Sequence, residues 1–128
     1  MEESMMKRLQ GAKRALDRLH EGAVKESLTE MERDGLIQRF EFAFEIIWKC
    51  GKDYLLDREG LEAASPKKVI RLLREVGLFT DEEAERALQM TYDRNLTAHT
   101  YDEKMALALA EKIRSYDKLL AEWLERME

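Results

Sequence analysis

Between Arg94 and Glu103 the sequence places a guanidinium, an amide, an imidazole, a phenol and two carboxylates: Arg94-Asn95-Leu96-Thr97-Ala98-His99-Thr100-Tyr101-Asp102-Glu103. His99 is one of 2 histidines in the chain, so proton transfer near neutral pH has few other places to reside. Arg94 offers an always-charged, bidentate clamp for a phosphate and for charge developing on it. His99 can move a proton to or from a ribose hydroxyl or a leaving oxygen. Metal-free cleavage of RNA needs little more, because the 2′-hydroxyl is itself the nucleophile. Tyr101 supplies either a ring on which a base can stack or a phenol that another enzyme can modify. The competing reading is a polar connector between helices, and His20, alone in the first helix, reads as a surface residue.

Geometry constrains the first reading. On one straight helix, residues 94 and 99 would point roughly 140° apart. Convergence of Arg94 and His99 therefore needs a helix break between them, or a second subunit bringing its own pair. Asn95, Thr97 and Thr100 are weak helix formers, and Thr100 with Glu103 has the spacing of a capping box. A two-fold dimer would place two copies of the cluster on either side of one cleft.

Five helices can be read around this segment. The first, Ser4 to Leu28, carries Met5, Leu9, Ala12, Leu16, Leu19 and Ala23 in a narrow apolar stripe. Residues 30–35 read as a polar break, with Asp34 as N-cap of the second helix, Gly35 to Arg58. That helix has Leu36, Phe40, Ala43, Ile47, Cys50 and Tyr54 on one face, while Phe42, Ile46 and Trp48 fall outside it. Two apolar sides require two partners, so the helix is expected to be central in the bundle and also to meet another subunit. Ser65-Pro66 starts the third helix and Gly77 stops it. Lys67, Arg71 and Arg74 share its polar face, as a solvated surface or as a stripe of candidate RNA contacts. Thr80 and Glu83 form a capping box for the fourth helix. The fifth begins near Thr100 to Asp102 and repeats Ala106, Leu109, Ile113, Tyr116, Leu120, Trp123 and Met127.

The expected fold is all-α, a single antiparallel bundle of four to five helices over residues 1–128. One proline among 128 residues and abundant Leu, Ala, Glu and Lys agree with that class. A net charge of −5 argues against coating nucleic acid by bulk electrostatics, though not against a local basic patch. The single Cys50 excludes an internal disulfide and lies in an apolar run where a buried thiol is expected. Cys and His are too few for a zinc site, and no phosphate-cradling glycine loop or nucleophile elbow is present. No metal and no cofactor are expected. The absence of a long apolar run or a signal-peptide pattern makes a cytoplasmic location the default.

Several segments occur together in order: Asp34-Gly-Leu-Ile-Gln-Arg-Phe-Glu-Phe42, Phe44-Glu-Ile-Ile-Trp-Lys49, Ser65-Pro66-Lys67 and Tyr92-Asp-Arg-Asn-Leu-Thr-Ala-His-Thr-Tyr-Asp-Glu103. In this the chain resembles the nucleotidyltransferase substrate-binding protein family, a branch of the HEPN superfamily. The resemblance implies a homodimer with a minimal nucleotidyltransferase (MNT) as partner. It implies for Arg94 and His99 the roles of a metal-independent ribonuclease motif, with Asn95 as the polar residue that positions substrate. In related two-component systems the Arg-x4-His-x-Tyr form marks a toxin whose Tyr the partner blocks with AMP, which makes Tyr101 the candidate acceptor. Ala98 departs from the Ser common in the family, and Gly51 interrupts the second helix. Two functions stay open: an endoribonuclease toxin regulated by AMP transfer, or a non-catalytic subunit presenting a nucleotide or acceptor to the nucleotidyltransferase.

Overall fold

Two long helices, α1 (Glu2–Ala23) and α2 (Glu30–Tyr54), form an antiparallel hairpin. A computed structural model describes residues 2–97 and 102–128 of the chain. The hairpin direction follows from the cross-pairs: Arg8 meets Asp53 at 2.9 Å, and Arg39 donates to the Arg18 carbonyl at 2.7 Å. The turn between them ends in Thr29, not Asp34. Thr29 Oγ1 accepts from Glu32 N while Glu32 returns a carboxylate to Thr29 N, a reciprocal cap that satisfies two otherwise orphan donors. The expected polar break over residues 30–35 is therefore the first turns of α2, and α1 stops at Ala23 rather than Leu28. A Thr-x-x-Glu cap outweighs the helix-breaking tendency of Gly35, where a helical glycine costs only ~1 kcal/mol.

Beyond α2 the backbone widens into a π-helical turn, Leu55–Glu59, closed by Gly60 in the left-handed region at φ 67°. Next come α3 (Pro66–Glu75) and α4 (Asp81–Leu96), joined by a short turn through Gly77 at φ 86°. Both caps expected here are formed: Ser65 Oγ accepts from Lys68 N, and Thr80 exchanges bonds with Glu83. The last helix, α5 (Glu103–Met127), is capped by Asp102, whose carboxylate accepts from Lys104 N and Met105 N. The Thr100 capping box falls outside the described residues, and Asp102 supplies the cap found. Among the described residues there is no strand, and no helix is long and apolar enough to cross a membrane.

The core lies where α2 meets every other helix. Phe40 and Phe44 face Tyr116 and Trp123 of α5, and Phe79 closes edge-on against Trp123 at 5.1 Å. The expected stripes of α2 and α5 are buried, with Tyr54 half-buried. Gly51 has a packing role: a Cβ there would come within 2.8 Å of Val69 Cγ1, so its absence lets α3 sit close to α2. Cys50 is fully buried, and desolvation pushes its thiol up to about 12. Trp48, off the main stripe, is covered within the chain itself, and Ile46 is half-buried. Phe42 is not covered and remains 58% exposed.

Candidate functional site

Arg94 sits in the last turn of α4, where the backbone leaves the α-helical path. Leu96 ends the helix, and Thr97 tightens the exit by returning its hydroxyl to the Arg94 carbonyl at 2.8 Å. The helix break that the geometry of Arg94 and His99 requires is thus present before residue 99. Arg94 is half-buried, Asn95 is exposed, and no described carboxylate pairs with the Arg94 guanidinium. His99 and Tyr101 lie outside the described residues. The neighbouring Tyr92 is 60% exposed one turn from Leu96.

Immediately before Arg94, Asp93 carries a carboxylate that is 0% exposed. Tyr116 Oη donates to it at 2.5 Å, Gln89 Nε2 at 3.1 Å, and Lys112 Nζ approaches at 3.5 Å. Burial pushes the Tyr116 phenol well above its ordinary range, with the bond to Asp93 adding to the shift. A buried carboxylate is tolerated only when its lone pairs are met by donors, and here α4 and α5 both supply them. This network locks the last turn of α4 onto α5 and fixes the backbone from which Arg94 projects. Sequence reasoning missed it. The available signal was an Asp in the middle of an otherwise regular helix, opposite a Tyr on the apolar stripe of α5.

Other expectations are placed as follows. His20 is on the surface as expected, with Nδ1 2.6 Å from Asp117 Oδ2, an α1–α5 contact. Lys67, Arg71 and Arg74 are exposed along α3, and Arg74 Nε lies 3.9 Å from Asp81 Oδ1. The helix that carries this stripe, α3, packs on α4, which carries Arg94. Among the described residues no cluster of His, Cys, Asp or Glu could hold a metal ion.

Residues 7–128 match the family model of nucleotidyltransferase substrate binding protein like chains. The chain belongs to that family. Among solved structures, a protein of Thermus thermophilus is 50% identical to this substrate-binding-like chain, with a TM-score of 0.89. The match covers 91% of this chain and 98% of the other. A toxin–antitoxin complex with AMP-PNP matches at TM-score 0.76 and 12% identity, over 97% of each chain. The tri-AMPylated HEPN toxin of Shewanella oneidensis, in complex with its MNT antitoxin, matches at 0.77 and 14% identity, over 95% of this chain and 94% of that one. At such identities the likeness establishes the fold: this is a HEPN-type helical bundle. No curated protein matches the chain.

Proposed function

We propose that this chain is the HEPN subunit of a two-component nucleotidyltransferase system and that it is a metal-independent endoribonuclease. The observation that carries the reading is Arg94: a half-buried guanidinium without a described carboxylate partner, anchored through Asp93, at a helix end that leads directly to His99. A positioned guanidinium with no carboxylate partner among the described residues, five positions before a histidine in the sequence, suits a phosphodiester better than it suits a structural connector.

In this reading the 2′-hydroxyl attacks the adjacent phosphorus and the bond to the 5′-oxygen breaks. His99 carries the proton between these oxygens, Arg94 holds the charge that builds on the phosphate, and Asn95 positions the strand. Lys67, Arg71 and Arg74 extend the phosphate contacts along α3. Two copies of the chain form the cleft. The MNT partner silences it by transferring AMP to Tyr101, the phenol oxygen attacking the α-phosphate of ATP and pyrophosphate leaving. The tri-AMPylated toxin of the same fold supports that regulation.

The test is incubation of the purified protein with structured and unstructured RNA in EDTA. Cleavage should fall about 10²–10⁴-fold in His99→Ala, the usual worth of a general acid–base group. It should fall about 10²–10³-fold in Arg94→Ala, the usual worth of one charge-stabilising donor. No cleavage by the wild type, or equal cleavage by the variants, overturns the assignment. The family's own description favours the second reading, a subunit that binds substrate for the nucleotidyltransferase without catalysis. Labelled ATP with the partner separates the two: label on this chain that vanishes in Tyr101→Phe supports the toxin, while label on a third molecule supports the substrate-binding subunit.

A further inference from the structure

On the side of the bundle formed by α1 and α2, Arg14 and Arg18 of α1 and Arg39 and Phe42 of α2 line a surface cavity of about 280 Å³ floored by Gly11 and Ala15. No carboxylate lines it, in a chain whose net charge is −5. Arg14 and Arg18 are one helical turn apart, a like-charge spacing that weakens a helix. Asp17 and Glu21 lie on the same helix, yet neither pairs with Arg14 or Arg18; among the described residues Glu21 is met by Arg39, at 3.2 Å. Among the described residues these two guanidiniums have no carboxylate partner, beside a phenyl ring that is 58% exposed. Gly11 marks a close approach of α1 to α2: a Cβ there would stand 2.9 Å from Ile46 Cδ1.

We infer that this cavity is a nucleotide site, in which Arg14 and Arg18 take the phosphate and Phe42 stacks on the base. Guanidinium forks match phosphate oxygens, and an exposed ring beside them accepts any base face. A volume near the ~300 Å³ lower end of ligand pockets suits one nucleotide unit. A free nucleotide and one unit of a single strand share this chemistry. The cavity is lined by α1 and α2 alone, whereas Arg94 lies on α4, and the site does not depend on cleavage there.

Fluorescence anisotropy of a short labelled oligoadenylate in EDTA, over a range of salt, tests the strand; calorimetry with AMP tests the free nucleotide. His99→Ala serves as the background protein, so that cleavage cannot enter the signal. Arg14→Gln with Arg18→Gln should weaken binding at least tenfold and flatten the slope of the salt dependence by about 0.7 for each phosphate no longer neutralised. Phe42→Ala should weaken it about 5- to 100-fold, the usual worth of one stacked base, and Phe42→Trp should restore it. Binding of AMP with the same variant dependence assigns a free nucleotide, and binding of the oligomer alone assigns a strand. Absence of binding by both ligands, binding that is indifferent to the three residues, or arginine variants that instead dissociate a self-assembly would overturn the site. The melting temperature should not fall in the arginine double variant, because its two guanidiniums repel each other.

Discussion

Asp93 shows how a single side chain serves a neighbour. Its carboxylate is buried, and Tyr116, Gln89 and Lys112 surround it, so the turn bearing Arg94 is held from three directions. Removing one donor while leaving the carboxylate buried costs about 1–3 kcal/mol. Tyr116→Phe keeps the ring against Phe40 and deletes only the hydroxyl. It should lower the unfolding free energy by that amount, read as a fall in the urea midpoint at unchanged slope. An unchanged midpoint would mean that Tyr116 does not support Asp93. The candidacy of Arg94 and His99 was legible from residue types, since phosphate clamps and proton carriers are few, whereas the roles proposed for Asn95 and Tyr101 came from the family resemblance. Asp93 was not, because an acid becomes structural only when the fold buries it.

At the scale of elements, α2 owes its place to a missing side chain. Gly51→Ala would gain helix propensity on an isolated helix, by up to ~1 kcal/mol. In the bundle the new methyl would meet Val69 Cγ1 at 2.8 Å, with Trp123 and Leu73 3.4 Å away. Overpacking of this kind costs about 1–3 kcal/mol, so the variant should be net destabilised in a thermal melt. Stabilisation instead would show that α3 moves aside freely.

The α4–α5 contact is tied at its other end by Arg126. Its Nη1 and Nη2 donate to the two oxygens of Glu83 at 2.8 and 2.7 Å. That fork, joined by the Thr80 amide, lowers the Glu83 carboxyl from 4.5 to about 2. A depressed carboxylate stabilises the fold fully above its unfolded pKa, and the contribution is lost as pH falls through the folded value. The contribution of Glu83 should therefore be intact above about pH 4.5 and drain away towards pH 2. Urea unfolding of the wild type and of Glu83→Gln across that window should converge at the acid end. A constant difference at every pH would contradict the linkage.

For the whole molecule, the question is what covers the second side of α2. Of the side chains off the main stripe of that helix, Trp48 is buried and Ile46 is half-buried, packed near Gly11 of α1. Phe42 and Met31 are left in the open, at 58% and 84% exposure. The proposed ribonuclease also needs a second copy to complete its cleft, and that cleft lies by Arg94 rather than by Phe42. Sedimentation should therefore give a dimer that persists in Phe42→Ala and weakens in Tyr92→Ala, whose ring is 60% exposed near the same end of α4 as Arg94. A monomer at high concentration would remove the cleft, and dissociation by Phe42→Ala alone would relocate it.

The sequence by itself determined the helices and two of the four expected N-caps, Ser65 and Thr80. Periodic stripes and Ser/Thr caps are local: spacing along the chain dictates which groups meet within one turn. The start of α2 was misread because two local signals competed there, Asp34-Gly35 against Thr29-x-x-Glu32, and the reciprocal cap satisfies two orphan donors where the other would satisfy one. Three matters were decided only by the tertiary structure: Asp93 as a buried anchor, Gly51 as a point of close approach, and Arg14 and Arg18 beside Phe42 with no carboxylate partner among the described residues. Each depends on what another helix brings within about 4 Å, and packing across residues far apart in the chain sets that distance.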